Sequence, residues 1–429
     1  MGTYINANVI HSHDVINIVR DTLKRVDSRL VDHGERVAYI LLKMLSCSSK
    51  YSSEQITNIC ILGLFHDVGA YKTDEIDKLL QFETKDILGH SIYGYLFLKN
   101  CSPFQNWSKA ILYHHANYKN SSDEDPECMD IAFMIGLADR IDVLMQNENG
   151  NFSFDKILKY SGTKFNPAHI ALFAEGNQKY KIVEMLHNLT YRQILAEAFA
   201  NIHFTAEEIN QYLHMLIYSI DFRSEYTVTH TINTVAYSTA IAKKMHFDTE
   251  ELSKIYYGAL LHDLGKISIP LEILEYPGKL SPEKMAIMKT HVTITEEIIT
   301  GIIDDDICKI AVRHHEKIDG SGYPHGLKGE ELNTSQRIVA VADIMSALVG
   351  KRSYKDAFPK KKIISVLEQM SRHQKLCPKV CRVAIQYYDE ITAHLSERYE
   401  KALHTYSSIM EEYQRLSQKF ASEQIKIHG

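Results

Sequence analysis

The chain carries the same ordered set of histidines and aspartates twice, and this repetition limits the folds open to it more than any other feature. The first half runs His33, then His66–Asp67 in LFHDVGA, His90 in LGHS, His114–His115 in YHHAN and Asp139 in LADRIDVL. The second half runs His230, then His262–Asp263 in LLHDLGK, His291 in KTHV, His314–His315 in HHEKIDGSGYP and Asp343 in VADIMSAL, with similar gaps throughout. A closing segment recurs as well, since FNPAHI from Phe165 resembles CPKVC and its flanks near Pro378. Coincidence is a poor account of a double match in order, so a duplicated domain is the simplest organisation.

The spacing between these residues is helical. Val235, Ile241, Ala242 and Met245 share one face after His230, Leu260 and Leu261 precede the second His–Asp pair, and alternating strand-like runs are scarce. The expected fold class is all-α, with helical domains at 1–200 and 201–394 and a C-terminal helix over 395–429. The join falls near residue 200, where a helical segment from Lys179 to Ala200 ends and Thr205, with Glu208 three positions on, offers a capping box for a new helix. After Ile391, the residues Leu395, Tyr399, Ala402, Tyr406, Ile409, Tyr413, Leu416 and Phe420 alternate spacings of four and three. That stripe suits a dimerising coiled coil or a terminal helix packed on its own domain.

Composition narrows the class of function. A length of 429 residues with 45% hydrophobic content is ample for two cores. The net charge of −6 and pI near 6.4 argue against a protein that coats duplex nucleic acid, while a local cationic pocket stays open. Seven scattered cysteines without a CxxC read as buried thiols in a reducing compartment, Cys377 and Cys381 being packing residues rather than ligands. No apolar run reaches the roughly 20 residues needed to span a bilayer. The start, MGTYINANVIHSHD, lacks the charged and apolar regions of a secretory signal. The expectation is a soluble cytoplasmic protein with no membrane association. With nine prolines and no Ser/Gly linker, its domains are expected to pack through helices.

Imidazoles and carboxylates in this order are the ligand types that hold two or more divalent ions, because imidazole nitrogens fix each metal and a carboxylate can bridge a pair. A lone histidine in a helical core is more often structural, and the ordered set reverses that reading for the second half. There, uniquely, the paired histidines are followed by a glycine-rich turn.

From His230 to Lys355 the second half closely resembles the HD-GYP family of cyclic-dinucleotide phosphodiesterases, a branch of the HD metal-dependent phosphohydrolases. The match is carried by HDLGKISIP, ILEYPGKLSPEKM, HHEKIDGSGYPHGLKGEEL and RIVAVADIMSALVGKRSYK. The resemblance implies two tandem HD-type helical domains, two or three iron or manganese ions, and hydrolysis of cyclic di-GMP to pGpG or GMP. Zinc and nickel suit the same donors. It places the metal ligands at His230, His262, Asp263, His291, His314, His315 and Asp343, with Asp263 as the bridging carboxylate, and leaves Glu225 as the candidate for a third ion. Asp263 and Lys266 are the implied catalytic residues, Lys266 serving charge stabilisation or leaving-group assistance. Gly322, Tyr323 and Pro324 form the substrate turn, and Lys266, Arg352 and Lys355 meet the phosphates. Solvated surface charge is the alternative for these three cations, and turn packing is the alternative for Tyr323. In this sequence Thr295 stands where many relatives have glycine, and Ser346 replaces a common aspartate.

The first half resembles the family more weakly. It keeps His33, His66, Asp67, His90, His114, His115 and Asp139 as a candidate second metal site, but Ala70 replaces the lysine and no GYP turn follows. Its ANYKNSSDEDPE loop is acidic and would repel a cyclic dinucleotide, so a regulatory or dimerising role is expected, with action on a distinct small phosphomonoester as the alternative. A homodimer through this domain or the C-terminal helix follows as an expected partner. Two rival functions remain: hydrolysis of 3'3'-cyclic GMP-AMP, and a non-catalytic metal-bound module that docks a signalling partner.

Overall fold

The computed structural model describes residues 9–25, 27–71, 89–120, 125–147, 152–200, 202–221, 229–349, 358–393 and 395–428. Among the described residues there is no strand, only isolated bridges at Ser161–Phe165 and Asp319–Lys328, and the all-α expectation holds. No helix among them is long and apolar enough to cross a membrane. Two compact units form. One comprises Met1–Arg25 with Phe204–Ser408, and the other Val26–His203 with Ile409–Gly429.

The helix starts follow local chemistry. Asp27, Ser52, Asp248, Ser281 and Asp304 each accept a backbone N–H from the first turn that follows, satisfying donors that a helix start leaves open. The capping box at the join is present: Thr205 Oγ1 accepts the Glu208 N–H at 3.2 Å and a Glu208 carboxylate oxygen accepts the Thr205 N–H at 2.8 Å. The helix so started is Ala206–Asp221. Before the join, the continuous helical segment expected from Lys179 is instead broken into Ile182–His187 and Tyr191–Ala200. Lys181 and Leu189 take left-handed backbone, with φ of 56° and 63°, which ends a helical run.

Both chain ends depart from the expected domain limits. Helix Ser12–Lys24 belongs with the second-half unit, where its buried Val15, Ile18, Val19 and Leu23 pack against Ala206–Asp221 and Pro282–Ile299. Ser12 Oγ also accepts the Phe204 N–H at 2.7 Å. The final helix, Leu395–His428, is shared, and from Ile409 onward it belongs with the first-half unit. Its heptad stripe is used within the chain: Ile409 is buried, Tyr413 meets Tyr93, Phe420 meets Tyr113, and Glu412 pairs with Lys99.

The repeat is visible in the packing. Each half has a helix bearing the first histidine, Ser28–Leu45 or His230–Lys244. Each has a helix running into the His–Asp pair, Ser53–Leu64 or Thr249–Leu261. A third supplies the next histidine, Gly89–Cys101 or Pro282–Ile299, and a fourth the terminal aspartate, Pro126–Asn147 or Thr334–Val349. The closing segments both open helices with proline in the first turn, Pro167–Tyr180 and Pro378–Gln386. All seven cysteines are free thiols, and only Cys47 is not buried.

Candidate metal centre

In the second half the predicted ligands converge on one buried spot. Three subsets, His230–His262–Asp343, His262–Asp263–His314 and His291–His314–His315, each bring their ligand atoms within 4.8 Å of one another. Asp263 sits between them. Its Oδ2 is 2.9 Å from His262 Nε2 and 3.4 Å from His230 Nε2, while its Oδ1 is 3.4 Å from His291 Nε2. Two oxygens facing two imidazole groups is the geometry a bridging carboxylate needs. Asp343 Oδ1 lies 3.1 Å from His230 Nε2, and its Oδ2 lies 3.6 Å from His315 Nδ1.

The histidines are oriented by the helices that carry them. Nδ1 of His262, His291 and His314 lies 2.6–2.7 Å from the carbonyl oxygen three residues earlier, on Ala259, Met288 and Ala311. A carbonyl only accepts, so Nδ1 carries the proton and Nε2 keeps its lone pair for a ligand. Nε2 of His291 and His314 and Oδ1 of Asp263 are buried without hydrogen-bond partners. Buried polar atoms without partners are costly, and a divalent cation at this spot satisfies all three. The donor set therefore fits a metal.

Electrostatics agree. Burial opposes ionisation of Asp263, but His262, Lys266 and His230 more than offset it and hold the carboxyl far below its usual range. Burial pushes His291 down to about 4 and His315 to about 3, favouring the neutral imidazole that binds metal. His230 goes the other way. Burial disfavours its charge, yet hydrogen bonds to Asp263 and Asp343 raise it to about 9.

Lys266 follows in the 3-10 turn Leu264–Ser268, its Nζ 2.6 Å from Asp263 Oδ2. Thr295 has a structural use, accepting the Gly265 N–H at 2.9 Å and donating to the His291 carbonyl. The GYP turn lies beside the cluster. The Tyr323 ring packs 4.6 Å from that of His315, and Lys289 Nζ stands 4.8 Å from its centroid. The peptide joining Tyr323 to Pro324 is cis. The two glycines serve different ends. Gly320 has φ of 80°, whereas a Cβ on Gly322 would come within 2.4 Å of the Lys317 nitrogen. Glu225, Arg352 and Lys355 lie outside the described residues.

Sequence reasoning passed over Glu316. It is 1% exposed, and its carboxylate accepts the backbone N–H of His325 at 2.8 Å and of Leu327 at 2.9 Å, pinning the chain just after the turn. Lys317, its neighbour, has a buried Nζ without a hydrogen bond, and burial lowers its pKa. Nothing in the spacing of HHEKIDGSGYP marks these two as different from surface charge.

The first half assembles the corresponding cluster. His33–His66–Asp67 and Asp67–His90–His114–His115 form two subsets sharing Asp67. Asp67 Oδ2 faces His66 Nε2 at 3.4 Å, and Oδ1 faces His90 and His114 at 3.5 and 3.7 Å. His66 and His114 are oriented by the carbonyls of Gly63 and Ile111. Three residues near the cluster were missed. Asp142 binds His33 Nδ1 at 2.7 Å, Arg36 pairs with Asp142, and Arg140 reaches His115 Nδ1 at 3.0 Å and Asp139 Oδ2 at 3.2 Å. Asp142 and Arg140 were legible in principle, because LADRIDVL set against VADIMSAL puts them opposite Ser346 and Ile344.

Comparison with known proteins places both halves. An HD domain matches residues 30–144 and another matches residues 214–380. The chain is 28% identical over 400 residues to the 3'3'-cGAMP-specific phosphodiesterase 1 of Vibrio cholerae, covering 87% of this chain and 89% of that protein. It is 36% identical over 214 residues to a cyclic di-GMP phosphodiesterase of Thermotoga maritima, covering 48% of this chain and 57% of that protein. A solved V. cholerae structure described as a cyclic GMP-AMP specific phosphodiesterase aligns with a TM-score of 0.54 at 17% identity, covering 89% of this chain and 98% of that one, and so shares the fold. With an HD domain in each half and the metal-ligand set and GYP turn together in the second, the chain belongs to the HD domain family and is of the HD-GYP type.

Proposed function

We propose that the second half is a metal-dependent phosphodiesterase acting on a cyclic dinucleotide, and that the first half holds metal without sharing this activity. One observation carries the reading: Lys266 and the pinned GYP turn flank the second cluster, while in the first Ala70 stands in place of the lysine and no GYP turn follows His115. The roles given below to individual residues are part of the proposal.

His230, His262, Asp263, His291, His314, His315 and Asp343 would hold two ions, with Glu225 as the candidate ligand for a third. Iron or manganese bound there supplies a water whose pKa falls from about 15.7 toward 7 and positive charge for the phosphoryl oxygens. Asp263, with one oxygen toward His230 and His262 and the other toward His291, would be shared between the two groups of ligands. The Lys266 ammonium, fixed by Asp263, meets charge developing on the phosphate or the leaving oxygen. Tyr323, its ring tilted against that of His315, offers a face to a nucleobase. Arg352 and Lys355 are proposed phosphate contacts, matching charge to a doubly anionic ring.

Cyclic di-GMP, hydrolysed to pGpG or GMP, is the substrate that the second-half motifs suggest. A second reading, 3'3'-cyclic GMP-AMP, is favoured by the relative matched over 87% of the chain, which is named for that substrate. Initial rates and products on cyclic di-GMP, 3'3'-cyclic GMP-AMP and cyclic di-AMP, with iron- or manganese-loaded protein, separate them. Asp263→Ala should abolish turnover of every one, and Asp67→Ala should leave a substantial rate. Binding without turnover in loaded protein would sink the enzymatic reading and favour a docking module.

A further inference from the structure

The helix that carries His291, Pro282–Ile299, sends an ammonium over each of two tyrosines. Lys289 Nζ stands 4.8 Å from the ring centroid of Tyr323, and Lys284 Nζ stands 4.2 Å from that of Tyr276. The first pair belongs to the turn beside the metal cluster. The second stands farther out, with Tyr276 40% exposed. Of the six large apolar side chains exposed among the described residues, four fall close together in sequence: Leu271, Tyr276, Met285 and Ile287.

Helix geometry ties this stretch to the cluster. Lys284, Met288, His291 and Thr295 follow at spacings of four, three and four, so they share one side of the helix. His291 and Thr295 are buried there, whereas every residue from 282 to 290 except Lys284 and Met288 is exposed. Ile287, one turn before His291, borders the same side and is 43% exposed. At about 1.5 Å per residue, Lys284 lies about 10 Å from His291 along the axis and about 7.5 Å from Lys289. The first turns of the helix thus lead outward from the cluster, with an ammonium, an apolar side chain and a half-open aromatic ring along one side.

A cyclic dinucleotide has two nucleobases and two phosphates. Two lysine–tyrosine pairs on one helix match that doubled shape, each with a flat face for a base and an ammonium for a phosphate or base oxygen. A protein partner calls for a broad, continuous apolar surface. Here the exposed apolar groups alternate with Lys284 and Lys289, and their stripe ends at a metal ligand.

We propose that Tyr276, with Lys284 and Ile287, receives the second nucleobase of the cyclic dinucleotide while the first lies against Tyr323. This rests on the phosphodiesterase reading of the second half.

Initial rates on the cyclic dinucleotide that the metal-loaded, unaltered protein turns over fastest test it. Tyr276→Ala should raise KM about ten- to a hundredfold, the scale of losing one base stacked on an aromatic ring. Its kcat should fall far less than KM rises, and its manganese content should equal that of the unaltered chain. Tyr276→Phe, which keeps the ring face, should hold KM near the unaltered value, and Tyr276→Leu, which keeps only apolar bulk, should not. An unchanged KM in Tyr276→Ala overturns the proposal and leaves the exposed stretch to a protein partner. An equal rise in Tyr276→Phe overturns it too, because the hydroxyl would then be the contact. If the unaltered protein binds cyclic dinucleotides without turnover, the enzymatic reading alone fails, and the same variants are compared by Kd in titration calorimetry with the same expected order. Neither binding nor turnover by the loaded, unaltered protein overturns both.

Discussion

Ser346 Oγ lies 3.0 Å from Nδ1 of His230, the place that Asp142 takes beside His33 in the first half. The serine also donates to the His230 carbonyl at 2.9 Å, so it ties the ring to its own backbone. A hydroxyl in place of a carboxylate orients the ligand without adding charge to the cluster.

Removing that tether should loosen the first ligand. Outer partners of metal-binding histidines are worth about 10- to 100-fold in affinity. Ser346→Ala should therefore weaken manganese binding by about tenfold, and Ser346→Asp should strengthen it. Competition with a chelator of known affinity reads both, and equal affinities in the two variants would show that Ser346 does not position His230.

Glu316 should matter twice over. Glu316→Ala leaves the part-buried N–H groups of His325 and Leu327 without their charged acceptor, at a cost of about 1–3 kcal/mol each. The melting temperature should fall, and on the proposed reading KM should rise more than kcat falls, because the residue holds the turn and not the metal ligands. Unchanged KM with normal metal content would contradict this division.

For Lys266 the expectation is reversed. Lys266→Ala should lower kcat by about a hundredfold, the scale of losing one charge-stabilising donor. Metal content should stay close to that of the unaltered chain, since the ammonium meets Asp263 without being a ligand. A loss of metal equal to the loss of rate would assign Lys266 to site assembly.

Acid should weaken the first half through Asp130. Burial opposes its ionisation, but hydrogen bonds from His169, Lys50 and Tyr51 more than offset that and hold the carboxyl well below its usual range. A depressed folded-state pKa gives stability that is complete above the unfolded value near 4 and is lost as pH falls through the folded value. Asp130→Asn should lower the midpoint of chemical unfolding at pH 7 and flatten its decline below about pH 4. An identical acid limb in both proteins would remove Asp130 from the account.

Much of the two clusters was legible because metal ligands are set by residue type and order. His262–Asp263, His291, His314–His315 and Asp343 needed only helical spacing to be recognised as a convergent set, and Thr205 with Glu208 announced the start of the next helix at the join. Glu316 was not legible, because a glutamate beside a lysine in a polar turn reads as solvated surface until the backbone donors of His325 and Leu327 are folded over it. The C-terminal stripe was seen as apolar, but its partners Tyr93 and Tyr113 lie some three hundred residues earlier in the chain. Helix Ser12–Lys24 was likewise assigned by position in the chain, and it packs by burial with the other unit.

The sequence by itself determined that the chain is helical, that it is duplicated, and which imidazoles and carboxylates could meet. Those properties depend on periodicity and residue type, which are local. The tertiary structure alone decided which nitrogen of each imidazole faces the cluster and what faces the other, because that depends on the neighbour brought to within 3 Å. Ala259 orients His262, Ser346 tethers His230, and Arg140 meets His115 at its Nδ1.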